Sequence, residues 1–147
     1  MVQIETATLN SLDQIAPLFD QYRVFYKQKS DLNAARAFLE NRILNKESIL
    51  FVAFLNDKAV GFTQLYPIFS SVSMQQSFVL NDLYVDSAYR KRKIGEALLN
   101  RTKQYCKLKN AKGLALETAI ENPVQKLYEK LGWLKDVDCF HYFWPSK

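Results

Sequence analysis

The sequence predicts a single α/β domain, spanning residues 1–147, in which a central sheet is flanked by helices. Short apolar or alternating runs, typical of strands, are interleaved with longer segments whose apolar residues recur at helical spacing. A chain of 147 residues can bury about 68 to 70% of its unfolded surface and can therefore build one substantial core. With 48% hydrophobic residues, four Gly and four Pro, the composition excludes disordered, collagenous and disulfide-stapled classes.

The predicted elements follow the order β-α-α-β-β-β-α-β-α-β-β. The eleven segments are, in chain order, residues 3–8, 11–28, 31–45, 49–55, 59–66, 76–85, about 95–110, 113–118, 122–132, 133–137 and 140–144. Asn56 and Asp57 supply the turn chemistry of a hairpin, and the polar stretch 67–73 predicts a loop. Asn122 and Pro123 are typical of a helix start and Gly132 of a helix end.

The net charge of +5 is concentrated in the second half of the chain. Residues 1–74 carry seven basic and seven acidic side chains, whereas the segment from Arg90 to Lys112 carries nine basic residues and one acid, Glu96. Such a segment is either a solvated helix face or a surface that meets an anion. The anion could belong to nucleic acid or to a phosphorylated small molecule.

The sequence does not indicate a membrane protein, a secreted protein or a metal-binding protein. The longest apolar run, Ile49 to Leu55, has seven residues, and a membrane-spanning helix needs about 20. The first residues have neither the basic start nor the apolar stretch of a secretory signal, so we expect a cytoplasmic protein with no membrane partner. Cys106, Cys139 and His141 lack any familiar metal-ligand spacing, and we expect no metal.

A candidate anion site lies where the predicted strand 76–85 runs through a basic loop into a helix. Backbone N–H groups and the positive end of a helix dipole converge at such a point. Gly95 allows a close approach to the backbone, and the neighbouring basic residues add positive potential. The loop is neither a Walker loop nor a dinucleotide fingerprint, because G-K-[S/T] and G-x-G-x-x-G are absent.

Three motifs in register narrow the choice of anion. They are, in chain order, Leu80-Asn81-Asp82-Leu83-Tyr84-Val85-Asp86, then Tyr89-Arg90 with Ile94-Gly95 and Ala97-Leu98-Leu99, then Leu127-Tyr128-Glu129-Lys130-Leu131-Gly132-Trp133. Together they resemble the GNAT superfamily of N-acetyltransferases, with a strand end similar to that of its polyamine and histone branches. The resemblance covers essentially the whole chain. It implies a mixed, mostly antiparallel sheet with four helices, and direct acetyl transfer from acetyl-coenzyme A to a primary amine.

The resemblance also implies roles for individual residues. The backbone of Leu83, Tyr84 and Val85 would pair with the pantetheine arm, and Tyr128 would protonate the departing thiolate. Asn122 would either contact the coenzyme or only cap its helix. The pyrophosphate would be bound by the loop and the helix start, that is by Arg90, Lys91, Arg92, Lys93, Ile94, Gly95 and Glu96.

The chain departs from the family pattern at the loop and at the general base. Lys91 and Lys93 stand where the pyrophosphate loop has glycines. Asn81 stands where polyamine acetyltransferases carry a glutamate base, and beside it Asp82 is our candidate base. Period-two alternation predicts that Asn81 and Asp82 lie on opposite sides of the strand. A water chain, or a purely structural role for Asp82, stays open.

The sequence leaves three functional hypotheses to weigh, of which the first two differ in the acceptor amine. The first is the amine of a small molecule, and the second is a protein lysine or amino terminus. The third hypothesis is a different class, a basic nucleic-acid-binding module, but Tyr105 falls on the apolar stripe of its helix and argues against nucleic acid as a partner.

The last predicted strand indicates a partner of another kind. It carries aromatic residues on both faces, namely Phe140, Tyr142, Phe143 and Trp144. One face would be wet unless a second copy or a helix layer covered it. We therefore expect a homodimer, with a core strand covered by both helix layers as the alternative.

Overall fold

The structure is a computed structural model that describes residues 1–147 and divides into two compact units, 1–117 and 118–147. The first unit is a five-stranded sheet with strand order β1-β2-β3-β4-β5. Neighbouring strands are antiparallel except β4 and β5, which are parallel. The strands are β1 (Gln3–Thr6), β2 (Ile49–Leu55), β3 (Lys58–Ser70), β4 (Gln75–Val85) and β5 (Leu114–Ala115).

Three helices belong to the first unit and one to the second. They are α1 (Leu12–Phe25), α2 (Leu32–Leu44), α3 (Ile94–Leu108) and, in the second unit, α4 (Gln125–Lys130). The α/β fold with a mixed sheet and four helices is confirmed. No helix is both long and apolar enough to cross a bilayer.

Helices cover both faces of the sheet in the first unit. Ile15 of α1 and Leu39 of α2 are fully buried in one cluster with Phe62 of β3. On the other face, the ring centroid of Tyr105 of α3 lies 5.6 Å from that of Phe51 and 5.4 Å from that of Phe78. Tyr105 therefore contacts the core, as its place on the apolar stripe predicts.

The hairpin between β2 and β3 forms at the predicted turn. Asn56 and Asp57 both have positive φ, 48° and 63°, as a type I′ turn requires. Asn and Asp tolerate this conformation because their short polar side chains can bond to the local backbone. On its other side the central strand β3 pairs with β4, where the candidate site lies.

The predicted loop over residues 67–73 is wrong for residues 67–70, because β3 continues to Ser70 and pairs with β4, and only residues 71–74 form a turn. Pro67, which indicated a loop, lies opposite Phe78 of β4. On its other side β2 reaches no further than Ile49, which pairs with Leu65. Pro67 therefore lies where β3 is an edge strand, a position at which the missing N–H of proline costs little.

The second unit contains α4 and its capping motif. Gly132 has φ of 95°, and its N–H donates to Glu129 O at 3.1 Å while the Trp133 N–H donates to Tyr128 O at 3.0 Å. These two bonds form a Schellman motif, which ends helices at glycine. The predicted helix end at Gly132 is confirmed.

The two strands predicted at the carboxyl end, 133–137 and 140–144, are not present. These residues have no regular secondary structure, and most of their side chains are exposed. Alternating apolar residues form a strand only where another strand offers hydrogen bonds, and an isolated two-stranded hairpin is marginal in water. The sheet therefore has five strands instead of the seven that the sequence predicts.

Candidate active site

β4 and β5 are paired near the start of β4 only. Only Phe78 with Leu114 and Val79 with Ala115 are paired between these strands. The predicted strand 113–118 is therefore shorter than expected, since ladder pairing stops at Ala115. Beyond Val79, no strand pairs with this edge of β4.

The backbone of the β4 end is available for hydrogen bonds on its open edge. The Asp86 N–H donates to Val60 O of β3 at 2.9 Å. Alternate residues of an antiparallel strand turn their backbone groups toward opposite edges. The backbone groups of Leu83 and Val85 therefore point toward the open edge of β4, whereas those of Tyr84 face β3. Of the three predicted residues, Leu83 and Val85 thus turn their backbone toward the open edge, where the Val85 carbonyl accepts a bond from Arg90 Nε.

The amino terminus of α3 begins without a side-chain cap. Its N-cap residue is Lys93, whose side chain makes no capping bond, and Ile94 is the first helical residue. The first N–H groups of a helix have no intrahelical partner, and the dipole adds about half a positive charge there. A helix start of this kind suits an anion, and the N–H groups of Ile94 and Gly95 lie there.

Both lysines that replace glycines in the loop keep a glycine-like backbone. Lys91 has φ of 63° and Lys93 has φ of 60°. The left-handed conformation costs a residue other than glycine roughly 1 kcal/mol. The loop retains the conformation that glycine would favour, and each lysine adds a charge at that conformational cost.

Two arginines of the loop rest on aromatic rings. The Arg90 guanidinium lies 5.7 Å from the Tyr84 ring centroid, and its Nε donates to Val85 O at 3.1 Å. The Arg92 guanidinium lies 5.4 Å from the Tyr89 ring centroid. Arg90 therefore ties the basic loop to the end of β4, which joins the open strand edge and the helix start into one site.

Asp82 is buried at 4% exposure on β4 and is surrounded by hydrogen-bond donors. Gln64 Nε2 donates to its Oδ2 at 2.6 Å and Asn81 Nδ2 to its Oδ1 at 3.0 Å. Burial raises the pKa of the Asp82 carboxyl, and the bonds from Gln64, Asn81 and the Tyr22 hydroxyl oppose that rise. A carboxyl with a raised pKa suits a general base.

The expected separation of Asn81 and Asp82 is wrong, since their side chains are hydrogen bonded to each other. Gln64 pairs with Asp82 but the next residue, Leu65, pairs with Leu80, so Asn81 is an extra residue on β4. A β-bulge of this kind breaks the alternation of side chains. The bulge places both polar side chains on the side of Gln64.

Gln64 and Tyr66, which lie around Asp82, are not among the predicted site residues. Gln64 is fully buried, and its Oε1 accepts a bond from Ser48 Oγ at 2.8 Å, which orients its amide toward Asp82. Tyr66 lies nearby, and burial raises the pKa of its hydroxyl to about 12, with the charge of Asp82 adding to the rise. A polar Gln64 within the apolar run of β3 was the one available clue.

Tyr128 and Asn122 lie in the second unit. Tyr128 is on α4, 9% exposed, and its ring centroid lies 6.0 Å from that of Trp133. The Schellman motif and this ring contact together hold Tyr128. Asn122 Oδ1 accepts a bond from the Val124 N–H at 3.1 Å, so its side-chain oxygen supports the turn before α4. A contact between Asn122 and the coenzyme stays a prediction.

Comparison with known proteins gives one consistent family. The profile of the Acetyltransferase (GNAT) family matches residues 12–133. A Bacillus subtilis (strain 168) protein described as uncharacterized N-acetyltransferase YhfO is 44% identical over 142 residues, which cover 96% of this chain and 95% of that protein. The chain belongs to the GNAT family of N-acetyltransferases.

Solved structures agree with this assignment. The crystal structure of a protein described as a probable acetyltransferase matches with a TM-score of 0.94 and 38% identity, covering 99% of this chain and 98% of that one. An aminoglycoside acetyltransferase from an uncultured soil metagenomic sample matches with a TM-score of 0.83 and 20% identity, covering 99% and 97%. At 20% sequence identity, the second match shows only that the two proteins share the GNAT fold.

The GNAT family implies acetyl-coenzyme A as cosubstrate, and the first unit fits that molecule. An open strand edge can pair with an extended amide chain, and an uncapped helix start can bind a pyrophosphate. The basic loop from Arg90 to Lys93 adds positive charge at the same place. No group of three or more His, Cys, Asp and Glu side chains is placed to hold a metal ion.

Replacing Lys93 by glycine removes the lysine charge and leaves a residue that adopts the positive φ of this position without strain. The variant therefore shows whether the charge contributes to coenzyme binding. We expect Lys93→Gly to relieve roughly 1 kcal/mol of strain and still to weaken acetyl-coenzyme A binding at low salt, because an ammonium near the phosphates is lost. Salt screens the lost attraction, so the difference should shrink as salt is raised in calorimetric titrations. Affinity that stays flat or improves at every salt concentration contradicts a phosphate contact by Lys93.

Proposed function

We propose that this GNAT N-acetyltransferase transfers an acetyl group from acetyl-coenzyme A directly to the primary amine of a small molecule. The observation that carries the proposal is the open edge of β4 joined, through Arg90, to the uncapped start of α3. This combination offers backbone partners to a pantetheine chain and N–H donors to a pyrophosphate. The confined surroundings of Asp82 favour a slender acceptor.

Two proton transfers accompany the proposed reaction. An alkylamine has a pKa of about 10.4, like lysine, and must lose a proton before it attacks, for which we propose Asp82 as the base. The thiolate of coenzyme A needs a proton on departure, and we propose Tyr128 as the acid. With ordinary pKa values of about 10 for tyrosine and 8.5 for a thiol, that transfer costs about 2 kcal/mol, a modest part of an enzymatic barrier.

A panel of acceptors tests the proposal. Release of coenzyme A is measured with small primary amines, with lysine-containing peptides and with peptides that have a free amino terminus. We expect turnover with small amines to exceed turnover with peptides. A preference for peptides would favour the protein acetyltransferase alternative, and stabilisation by RNA but not by acetyl-coenzyme A would favour a nucleic-acid-binding module.

The variant Tyr128→Phe tests the proposed acid. It keeps the ring that packs on Trp133 and removes the proton. We expect turnover to fall by about 100-fold, within the usual range for general acid catalysis, with acetyl-coenzyme A affinity nearly unchanged. Single-turnover kinetics should be used, so that chemistry limits the rate. Unaltered turnover under those conditions would exclude the role.

We also propose that the enzyme is a homodimer that covers its carboxy-terminal aromatic residues. Four of these side chains are at least 80% exposed: Phe140, Tyr142, Phe143 and Trp144. Apolar surface of this extent commonly marks an interaction site. We expect light scattering at micromolar concentration to give twice the mass of the 17.1 kDa chain. A monomeric mass would remove the dimer from the proposal.

A further inference from the structure

A cavity of about 450 Å³ lies at the end of the sheet where β2 begins. Ile49, the first residue of β2, lines it together with Pro67, which lies on β3 beyond the last residue that pairs with β2. Phe78 of β4 and Tyr105 of α3 add aromatic side chains to the lining. This volume and this largely apolar lining are typical of sites that bind small molecules.

The cavity is separate from the place where we put the coenzyme. No residue from Leu83 to Glu96 lines it. Lys109, which does line it, directly follows α3, whereas the pyrophosphate is placed at the start of that helix. The 15 residues of α3 span about 22 Å. A ligand in the cavity therefore needs no contact with the coenzyme.

The polar side chains around the cavity favour an anion. Lys46 and Lys109 line it, neither forms an ion pair, and no aspartate or glutamate is among the lining residues. The Lys109 ammonium lies 5.7 Å from the centroid of the Tyr105 ring, so a positive charge lies beside an aromatic surface. The Tyr105 hydroxyl and the Gln76 amide have no hydrogen-bond partner in the protein and are available to a ligand.

Lys46 occupies a backbone position that favours glycine. Its N–H donates to Ile43 O at 3.2 Å, and the Glu47 N–H donates to Arg42 O at 2.9 Å, so α2 ends in a Schellman motif. Lys46 has φ of 53°, a left-handed conformation that is costly for lysine. The corresponding residue after α3 is Asn110, a common choice there. A contact between its ammonium and a ligand gives a reason for a lysine at this position.

We propose that this cavity binds a small organic carboxylate with an apolar body. The carboxylate pairs with Lys46 and Lys109, and the apolar body packs against Pro67 and the Tyr105 ring. Both parts are needed, because an exposed ion pair alone contributes little, and an apolar molecule alone leaves both ammonium groups unpaired. The inference goes beyond the proposed acetyl transfer and does not depend on it, since the cavity shares no residue with the coenzyme site.

Three probes separate the contributions of charge and apolar body: phenylpropionate, its neutral amide phenylpropionamide, and acetate. Each is titrated in a calorimeter into the protein saturated with acetyl-coenzyme A. We expect phenylpropionate to bind at millimolar concentrations, and the amide to bind at least about 10-fold more weakly, because hydrogen bonds to charged groups are stronger. Acetate should give no measurable heat. Equal affinity for the acid and the amide would overturn the proposal, as would displacement of phenylpropionate by acetyl-coenzyme A.

Lys46→Gly separates binding from folding. The substitution removes the charge and the left-handed strain together, so we expect the variant to be at least as stable as wild type in thermal unfolding. Its affinity for phenylpropionate should nevertheless fall by about 10-fold, while its affinity for phenylpropionamide stays the same. An unchanged affinity for phenylpropionate contradicts a contact with Lys46.

Lys109→Gln and Lys107→Gln form a matched pair. Lys107 lies in the last turn of α3 but does not line the cavity. A lysine at the end of a helix can also act through the helix dipole, and that role would be shared by both residues. We expect only Lys109→Gln to weaken phenylpropionate binding. Equal effects of the two substitutions would show that the lysines act only as charges at the helix end, and would overturn the anion site.

Discussion

Gly95→Val is expected to abolish binding of acetyl-coenzyme A. Gly95 is the second residue of α3, so its N–H is among the donors that no intrahelical carbonyl accepts. A branched side chain at this position would occupy the space through which a pyrophosphate approaches those donors. We expect no heat of binding in calorimetry at concentrations that saturate the wild-type enzyme.

Gly113→Val is the matched control for this substitution. A Cβ at Gly113 meets no atom within 4 Å, and this residue precedes β5, at the end of β4 opposite the loop. We expect Gly113→Val to bind the coenzyme normally and both variants to unfold cooperatively. If Gly95→Val retains wild-type affinity, the pyrophosphate does not bind at the start of α3, and our placement of the coenzyme is wrong.

Asp82→Asn is expected to lower kcat/KM for a protonated amine by about 1,000-fold, within the range for loss of a general base. Asparagine keeps the size of the side chain, and its carbonyl can still accept a bond from Gln64 or Asn81. It cannot take the proton of the amine. Coenzyme affinity should stay the same, because Asp82 turns toward Gln64 and away from the loop. Activity within about 3-fold of wild type would exclude Asp82 as the base.

The same variant has a predictable effect on stability. Burial raises the pKa of Asp82 above the ordinary aspartate value of 3.8, so the folded state holds this proton more tightly than the unfolded state. The free energy of unfolding contributed by Asp82 therefore decreases as pH rises from about 3.8 through the raised pKa. Asp82→Asn removes this decrease, and its stability relative to wild type should improve across that range.

Asp13→Asn is the control for both readouts. It makes the same chemical change at a side chain that is 86% exposed and paired with Arg36 at 3.0 Å. An exposed ion pair contributes about 1 kcal/mol or less, so activity should be unaffected. Denaturant unfolding across the pH range measures the stability difference. A relative stability of Asp82→Asn that does not improve with pH contradicts a raised pKa in the folded state.

The sequence by itself determined the features that depend on neighbouring residues. Asn56 and Asp57 specify the hairpin turn, Gly132 ends α4, and β2 was predicted with its bounds. The basic stretch that precedes the start of α3 is likewise visible in the sequence, and it predicts an anion site there. Each of these features follows from the local backbone preferences of a few consecutive residues, which the sequence displays directly.

Only the tertiary structure decided the features that depend on pairing between distant segments. Pro67 indicated a loop, but it is tolerated in a strand because β2 ends beside it. The segment 133–144 alternates like a strand, but no strand pairs with it. The register of β3 on β4 pairs Gln64 with Asp82, and the bulge at Asn81 brings the Asn81 side chain to the same carboxylate. Hydrogen-bond partners across a sheet are set by register, which one strand's sequence does not contain.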